Sequence, residues 1–244
     1  MGRSVKVLVI DVGGTHVKVL ATGKREPRRV ASGPTMTASR MVAAVKKLTR
    51  DWSYDAISIG YPGPVLHGSP VAEPKNLAGG WVGFDFRKAF GKRVRVVNDA
   101  AMQALGSYEG GRMLFLGLGT GLGAALIAAC VIVPLELGQL PFGADRTLGE
   151  VLGRRGLDRL GKKAWRQAVA RIVPALMGAL LADDVVVGGG NASVLKQLPP
   201  GTRCGHNLTA FLGGARLWHL DDVRTLSSRA VLPGPAAVPE WRVV

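Results

Sequence analysis

Cysteine is almost absent from this 244-residue chain, with Cys130 and Cys204 the two examples. Two thiols cannot build a disulfide scaffold or a structural zinc site, and so few in a long chain fit a reducing compartment. Aromatic residues make up 6%, which argues against the aromatic platforms that stack unpaired RNA bases. Acids are scarce as well: 17 Asp+Glu stand against 32 Lys+Arg, a net charge of +15. Disorder is excluded all the same, because 47% of the residues are apolar and the mean hydropathy is +0.19. No clean membrane span exists. The 23 uncharged residues between Arg112 and Glu136 are long enough to cross a bilayer. However, Gly117, Gly119, Gly121 and Gly123 interrupt them, with Thr120 among these and Pro134 beyond, so the stretch reads as strand, glycine turn, strand. Asp11 breaks the N-terminal apolar run, unlike a signal peptide. A soluble cytoplasmic protein is expected.

What is present in excess is positive charge, and it is clustered. Residues 1–50 carry 11 bases and 2 acids, residues 151–200 carry 8 and 3, and residues 101–150 carry 2 and 4. Clustered basic surface attracts polyanions such as nucleic acid, polyphosphate or anionic lipid. The alternative is a solvated face that only maintains solubility, and composition does not separate the two.

Along the chain, strands and helices alternate. Strands are predicted over Val5–Val12, His16–Ala21, Ala56–Tyr61, Val94–Asn98 and Asp184–Val187, the last closing on glycines. Thr37–Arg50 has apolar residues at helical spacing, Asp99–Tyr108 reads as a helix, Thr147–Ala182 as a basic helical region, and His206–Trp218 as a final helix. Residues 220–244 show no clear periodicity. Two blocks, each opening on a strand–glycine turn–strand unit, argue for an α/β protein of two lobes with a cleft between them.

Three glycine clusters follow apolar strands: Asp11-Val-Gly13-Gly14-Thr15, Gly119-Thr120-Gly121-Leu-Gly123 and Gly188-Gly189-Gly190-Asn191. Glycine lets backbone N–H groups approach an anion, and a Thr hydroxyl adds a donor. Each alone is compatible with an ordinary tight turn, but three together favour a phosphate-handling cleft. None is a P-loop or a dinucleotide fingerprint. Asp11 suits Mg²⁺, which takes oxygen ligands alongside phosphates, or it caps a turn. Lys18 either reaches a transferring phosphoryl group or is a solvated strand residue. Asn98-Asp99 ends a strand at a helix start, where Asp99 is either an N-cap or a general base for phosphoryl transfer. Asn76, Glu136 and Gln139 are polar residues beside glycine or apolar segments, suited to a polyhydroxy substrate.

In order, DVGGTHVKV (11–19), GYPGPV (60–65), KNLAGGW (75–81), VNDA (97–100), LGTGLGAAL (118–126) and VVVGGGN (185–191) resemble the ROK sugar kinases. ELGQLPF (136–142), GRRGLDRLGKKAWR (153–166) and AFLGGARLW (210–218) resemble its polyphosphate glucokinase branch. The resemblance spans roughly residues 5–218. It implies the two-lobed, ribonuclease H-like α/β fold of actin, hexokinase and Hsp70. It divides the chain into a smaller lobe (1–110) on which a final helix (206–219) packs back, a larger lobe (111–205) and a tail (220–244).

By resemblance, Asp11, Gly13, Gly14 and Thr15 form the first phosphate loop, and Gly119, Thr120 and Gly121 the second. Gly188, Gly189 and Gly190 match the segment that holds a nucleoside in ATP-using members. Asn76, Asn98 and Glu136 match sugar ligands, Gly63 lines the sugar pocket, Glu150 is a further acidic sugar contact, and Asp99 is the base for the sugar 6-hydroxyl. Two departures stand out: Gln139 occupies the position where most members carry His, and no cysteine-rich zinc motif follows, so no zinc is expected. The first loop begins at residue 11, leaving no room for a preceding DNA-binding domain. The resemblance thus implies a homodimeric, Mg²⁺-dependent kinase acting on glucose or a similar hexose, with polyphosphate, ATP or both as donor. Gln139 motivates a second reading, a degenerate sugar or polyanion sensor without turnover; nucleic-acid binding through the basic surface is a third.

Overall fold

A computed structural model describes residues 5–206, 208–218 and 241–243. The first sheet begins with β1 (Val7–Val12), β2 (His16–Ala21) and β3 (Arg28–Ala31), a continuous antiparallel meander. Helix α1 (Ala38–Leu48) follows, and the Thr37 hydroxyl accepts from the Arg40 N–H at its start. It buries Ala38, Met41, Val42 and Val45, the one-sided spacing of an amphipathic helix. Strand β4 (Ala56–Tyr61) returns parallel to β1, buried along its whole length. A two-stranded hairpin, β5 (Val65–Leu66) and β6 (Ser69–Pro70), and the short helix α2 (Phe86–Phe90) lead to β7 (Arg93–Asn98), parallel to β4. The strand order is β3-β2-β1-β4-β7.

Helix α3 (Asp99–Ser107) starts where β7 stops and carries the chain to the second sheet. That sheet comprises β8 (Met113–Leu118), β9 (Leu122–Ala128), β10 (Val131–Leu135), β11 (Asp184–Gly188), β12 (Thr202–Cys204) and β13 (Arg242–Val243), in the order β12-β11-β8-β9-β10-β13. Helices α4 (Leu148–Leu152) and α5 (Arg154–Ala179) lie between β10 and β11 in sequence, and α6 (Thr209–Arg216) follows β12. Among the described residues, no helix is long and apolar enough to cross a membrane.

Three apolar clusters stack these elements in five layers. One joins α1 and α2 to the outer face of the first sheet. A second fills the space between the sheets with α3 and α6. The third joins α4 and α5 to the outer face of the second sheet. The middle layer depends on glycine. A Cβ on Gly106 of α3 would collide with the Thr209 carbonyl, and one on Gly213 of α6 would collide with the Met102 carbonyl. A Cβ on Gly214 would run into Val9 of β1. Ser58 of β4 donates to the Gly214 carbonyl at 2.6 Å and accepts from the Trp218 indole at 2.8 Å. Arg216 donates to the carbonyls of Leu105 at 2.6 Å and Tyr108 at 3.0 Å, binding the last turn of α3.

Several elements differ from the sequence reading. The first strand begins at Val7 rather than Val5. The region 147–182 holds two helices, because Gly153 separates α4 from α5, and α5 is itself interrupted at Gly161 (φ 72°). The apolar run after the second glycine turn continues into a third strand, β10, through a tight turn at Ala129 and Cys130. Both residues have positive φ without the Asn-Gly or Asp-Gly signal that usually marks such hairpins. The last helix spans Thr209–Arg216, shorter than the stretch 206–219, of which 207 and 219 lie outside the described residues. In the expected tail, Arg242 and Val243 pair in parallel with β10; residues 219–240 and 244 lie outside the described residues.

Gly213→Ala should force the two middle helices apart. A loss of roughly 1–3 kcal/mol of unfolding free energy is expected, the usual cost of overpacking a tight contact, read from urea denaturation at neutral pH. An unchanged midpoint would mean that α3 and α6 do not touch.

Candidate active site

Asp11 lies near the end of β1 and faces Lys18 across the β1–β2 pair, with Nζ 3.9 Å from Oδ2. The intervening turn is held from both sides. Gly13 N–H donates to the His16 carbonyl at 3.0 Å, where a Cβ would stand only 2.9 Å from that oxygen. Ser32 donates its hydroxyl to the Gly13 carbonyl at 2.6 Å and its N–H to the Thr15 carbonyl at 2.9 Å. Thr15 itself is exposed, so the loop presents its tip to solvent.

Asp99 opens α3. Asn98 is the helix cap: its Oδ1 accepts from the N–H groups of Ala100 (2.9 Å) and Ala101 (3.1 Å), while its Nδ2 donates to the Gly63 carbonyl at 3.0 Å. The carboxamide of Asn98 is therefore engaged at both ends, and it ties the Pro-Gly-Pro turn to the start of α3. Two glycines let that start fit. A Cβ on Gly60 of β4 would collide with Met102 and lie 3.6 Å from the Asp99 Cα, and one on Gly123 of β9 would lie 3.1 Å from the Ala100 Cβ. Both sheets thus close on the first turn of α3.

Burial is the main reason the Asp99 carboxyl is pushed up to about 7; the negative charges of Asp11 and Glu136 add to it, and the Ala100 N–H opposes it. Asp11 is raised as well by burial, with Lys18 acting against the shift. A carboxylate from the first sheet and one just after β10 therefore bear on one group, and burial plus like charge is the arrangement that tunes an acid toward base duty at neutral pH.

Asn76 sits on a loop that the first phosphate-type turn touches: a Cβ on Gly14 would be 3.3 Å from the Asn76 Cβ. Glu73, which the sequence reading passed over, shapes this loop. Its carboxylate accepts from the N–H groups of Gly80 at 3.1 Å, Trp81 at 3.1 Å and Val82 at 3.3 Å. Tyr61 adds a hydrogen bond from its hydroxyl to the Ala72 carbonyl at 2.7 Å. An acid standing just before KNLAGGW was the available signal, but its partners are backbone groups that no side-chain pattern reveals.

Glu136 precedes a 3₁₀ turn, Leu137–Gln139, and Gln139 Nε2 at its end donates to Glu136 Oε2 at 3.3 Å. The turn rests on α4, where a Cβ on Gly149 would be 2.9 Å from the Gly138 carbonyl. Glu150 is the acidic member of a capping box on α4, its Oε2 accepting from the Thr147 N–H at 3.0 Å. One of its oxygens therefore serves the helix end.

The second and third glycine clusters converge. Gly188 pairs with Gly117 across β11 and β8. Gly189 has φ 83°, and a Cβ there would stand 2.6 Å from the Leu118 carbonyl carbon. The buried Asn191 donates to the Gly119 carbonyl at 2.8 Å, and the Arg154 N–H donates to the same oxygen at 2.9 Å. Thr120 and Gly121 press on Gly153, whose Cβ would lie 2.6 Å from the Thr120 carbonyl and 2.8 Å from the Gly121 Cα. Among the described residues, no group of three or more His, Cys, Asp or Glu side chains is placed to hold a metal ion. A half-buried carboxylate such as Asp11 fits Mg²⁺ of the kind that draws its remaining ligands from water and phosphate. Cavities of about 640 and 610 Å³ lie elsewhere, beside β7 and beside α5, and neither is lined by Asp99.

The sequence profile of the ROK family matches residues 7–134. A polyphosphate glucokinase from Mycobacterium tuberculosis is 27% identical over 207 residues, covering 74% of this chain and 76% of that protein. An inorganic polyphosphate/ATP-glucomannokinase from Arthrobacter sp. strain KM has a TM-score of 0.74 at 23% identity, with 87% of this chain and 98% of that one covered. A ROK family glucokinase from Streptomyces griseus, solved with glucose and AMPPNP, has a TM-score of 0.67 at 18% identity, covering 87% and 98%. These structures share the two-lobed actin/hexokinase-like fold with this chain.

Two outcomes test the geometry. Between about pH 4 and 7 the folded protein holds a proton on Asp99 that the unfolded chain has released, so this group makes stability fall as pH rises. Relative to the wild type, Asp99→Asn should gain thermal stability progressively across that window; a constant difference in Tm would exclude the shift. Glu73→Gln removes one accepting oxygen, and charged hydrogen bonds contribute about 1.5–3 kcal/mol. Amide exchange at Gly80, Trp81 and Val82 should therefore accelerate at least about tenfold, and unchanged protection would show that Glu73 does not hold the loop.

Proposed function

This chain belongs to the ROK family, and from that premise we propose that it is a sugar kinase that phosphorylates the 6-hydroxyl of glucose or a similar hexose. The observation that carries the reading is the position of Asp99, at the start of a helix gripped by both sheets, with its carboxyl raised to about 7 beside Asp11 and Glu136. In this reading Asn76, Glu136 and Gln139 bind the sugar, with Gly63 and Glu150 at its margin. Asn98 then serves chiefly as the clamp that aims Asp99. The loops at Gly13, Gly14 and Thr15 and at Gly119, Thr120 and Gly121 take the phosphates, and Lys18 stands beside them. Gly188, Gly189 and Gly190 back the second loop where a nucleotide is the donor.

The step balances simply. The sugar hydroxyl oxygen forms a bond to the terminal phosphorus of the donor, and its proton passes to Asp99. The bridging P–O bond breaks, and its electrons leave with ADP or with a polyphosphate one unit shorter. Loop N–H groups preorganised toward the phosphoryl oxygens stabilise the charge they carry in the transition state. Magnesium bound at Asp11 would neutralise part of the same charge. Polyphosphate is the favoured donor, supported by the basic residues of α5 and by the polyphosphate-using relatives. The enzyme is proposed to work as a cytoplasmic homodimer. Gln139 supports a second reading, a sugar sensor without turnover, because its carboxamide is hydrogen-bonded to Glu136 and supplies no imidazole.

A coupled assay that pairs glucose with polyphosphate or ATP should yield the 6-phosphate. Asp99→Asn should lower kcat by about 10²–10⁴, the usual contribution of a general base, while glucose still binds. In the wild type, kcat/KM should fall as pH drops below about 7, because protonated Asp99 cannot accept the proton. No product with either donor would overturn the reading, and calorimetric sugar binding without product would select the sensor. A near-normal kcat in Asp99→Asn would remove Asp99 as base.

A further inference from the structure

Helix α5 carries Arg154, Arg155, Arg159, Lys162, Lys163, Arg166 and Arg171 against the single acid Asp158. The charge is not spread over a featureless face. Arg159 and Arg171 line a cavity of about 610 Å³ together with Arg146, Gln167, Phe142 and Asp145. Three guanidinium groups against one carboxylate leave the cavity with a net positive charge. Among the described residues, none of these three arginines is ion-paired with a carboxylate. Arg171 stacks over the Phe142 ring, 5.5 Å from its centroid, and Arg159 donates to the Glu150 carbonyl at 3.4 Å. Both heads are thus steered by neutral partners that leave their charge uncompensated, and guanidinium forks suit phosphate oxygens.

No residue of the candidate active site lines the cavity, but both of its walls are connected along the chain to loops of that site. One wall is the turn from Phe142 to Arg146, closed by a hydrogen bond from the Phe142 N–H to the Arg146 carbonyl at 2.6 Å. This turn comes three residues after Gln139. The other wall is α5, whose first N–H donates to the Gly119 carbonyl of the second glycine loop. From Arg154 to Arg159 the helix rises only about 7.5 Å. A phosphate chain with its reacting end at the glycine loops would find Arg159 next along this helix, with Arg171 beyond the break at Gly161 and Arg146 on the turn that forms the other wall.

We propose that the cavity formed by Arg146, Arg159 and Arg171 is a second phosphate-binding site, which anchors the part of a linear polyphosphate remote from its reacting end. The inference rests on the kinase reading for its ligand, but its test does not depend on turnover. A ligand of two or three phosphates is short enough to be held by the glycine loops alone, whereas a long chain engages both sites. Affinity gained at the cavity therefore applies to long chains only, and it falls with salt as counterions are released.

The test is equilibrium binding to the full-length protein without sugar, using long-chain polyphosphate, inorganic triphosphate and a single-stranded DNA of matched charge. In the variant Arg146→Gln/Arg159→Gln/Arg171→Gln, Kd for long-chain polyphosphate should rise at least about tenfold, and the slope of log Kd against log salt should fall by about two. Triphosphate affinity should stay within about twofold. The corresponding triple lysine variant keeps the charge and should retain long-chain affinity within about fivefold, so a loss caused by unfolding would show in both variants. An unchanged Kd for long-chain polyphosphate, an equal loss for triphosphate, or an equal loss in the lysine variant overturns the proposal. DNA that binds as tightly as polyphosphate and is weakened equally by the glutamine variant overturns it too, in favour of a nucleic-acid surface. A chain that binds polyphosphate this way yet phosphorylates no sugar would separate this site from the kinase reading.

Discussion

Gly106 on α3 and Gly213 on α6 bring two helix backbones into direct contact, and the rest of the molecule is arranged around that crossing. A side chain at either position would push the helices apart and open the layer they fill between the two sheets. Gly214 extends the constraint to β1 and Ser58 to β4, so α6, late in the chain, is locked onto strands formed early in it. The consequence is felt at the opposite end of α3. With its body held by α6 and its last turn bound by Arg216, α3 can start only where Gly60 and Gly123 leave room. Asp99 is the residue at that start. The site's central carboxylate is therefore positioned largely by backbone packing, with the Asn98 side chain tying the same turn to the Gly63 carbonyl.

That placement also sets its chemistry. A carboxylate at a helix N-terminus is ordinarily favoured by the unpaired N–H groups there, and the Ala100 N–H does act in that direction on Asp99. Burial outweighs it, and Asp11 and Glu136 push the same way. Asn98 contributes by occupying the cap itself, since its Oδ1 takes two of the helix's free N–H groups, leaving less for Asp99. The Asn-Asp pair thus divides two tasks: Asn98 caps the helix, and Asp99, although it also accepts from the Ala100 N–H at 2.8 Å, stays raised by burial and like charge.

The sequence was most readable where local rules decide. Strands β2 and β4 and the start of α3 fall where apolar runs, glycine turns and the cap residues put them. The glycine clusters could be seen as clusters, but not why each glycine is there. Gly189 is needed because the Leu118 backbone lies beneath it, and Gly153 because Thr120 and Gly121 do; these contacts join residues far apart in the chain. Glu73 illustrates the same limit, since its partners are the N–H groups of residues 80–82, invisible to any reading of side-chain type. The family resemblance marked Asn98 and Glu150 as sugar contacts. Their hydrogen bonds show that holding the backbone already occupies them in part.

The distribution of charge is more informative than its sum. A chain of net charge +15 has acids at its candidate site: the charges of Asp11 and Glu136 add to burial in raising Asp99, and burial raises Asp11. Such a centre repels a phosphate-rich ligand, and Lys18 is the one base within ion-pair distance of any of the three among the described residues. A phosphate donor of the proposed kind would have to be attracted by groups that do not neutralise the carboxylates. Glycine-loop N–H groups act at contact range, and bases set back on α5 act over about a Debye length. Moving those bases into the cleft would pair them with Asp99, lower its pKa and weaken it as a base. For the proposed kinase, keeping the positive charge outside would reconcile attraction of a polyanionic donor with a carboxyl raised to about 7.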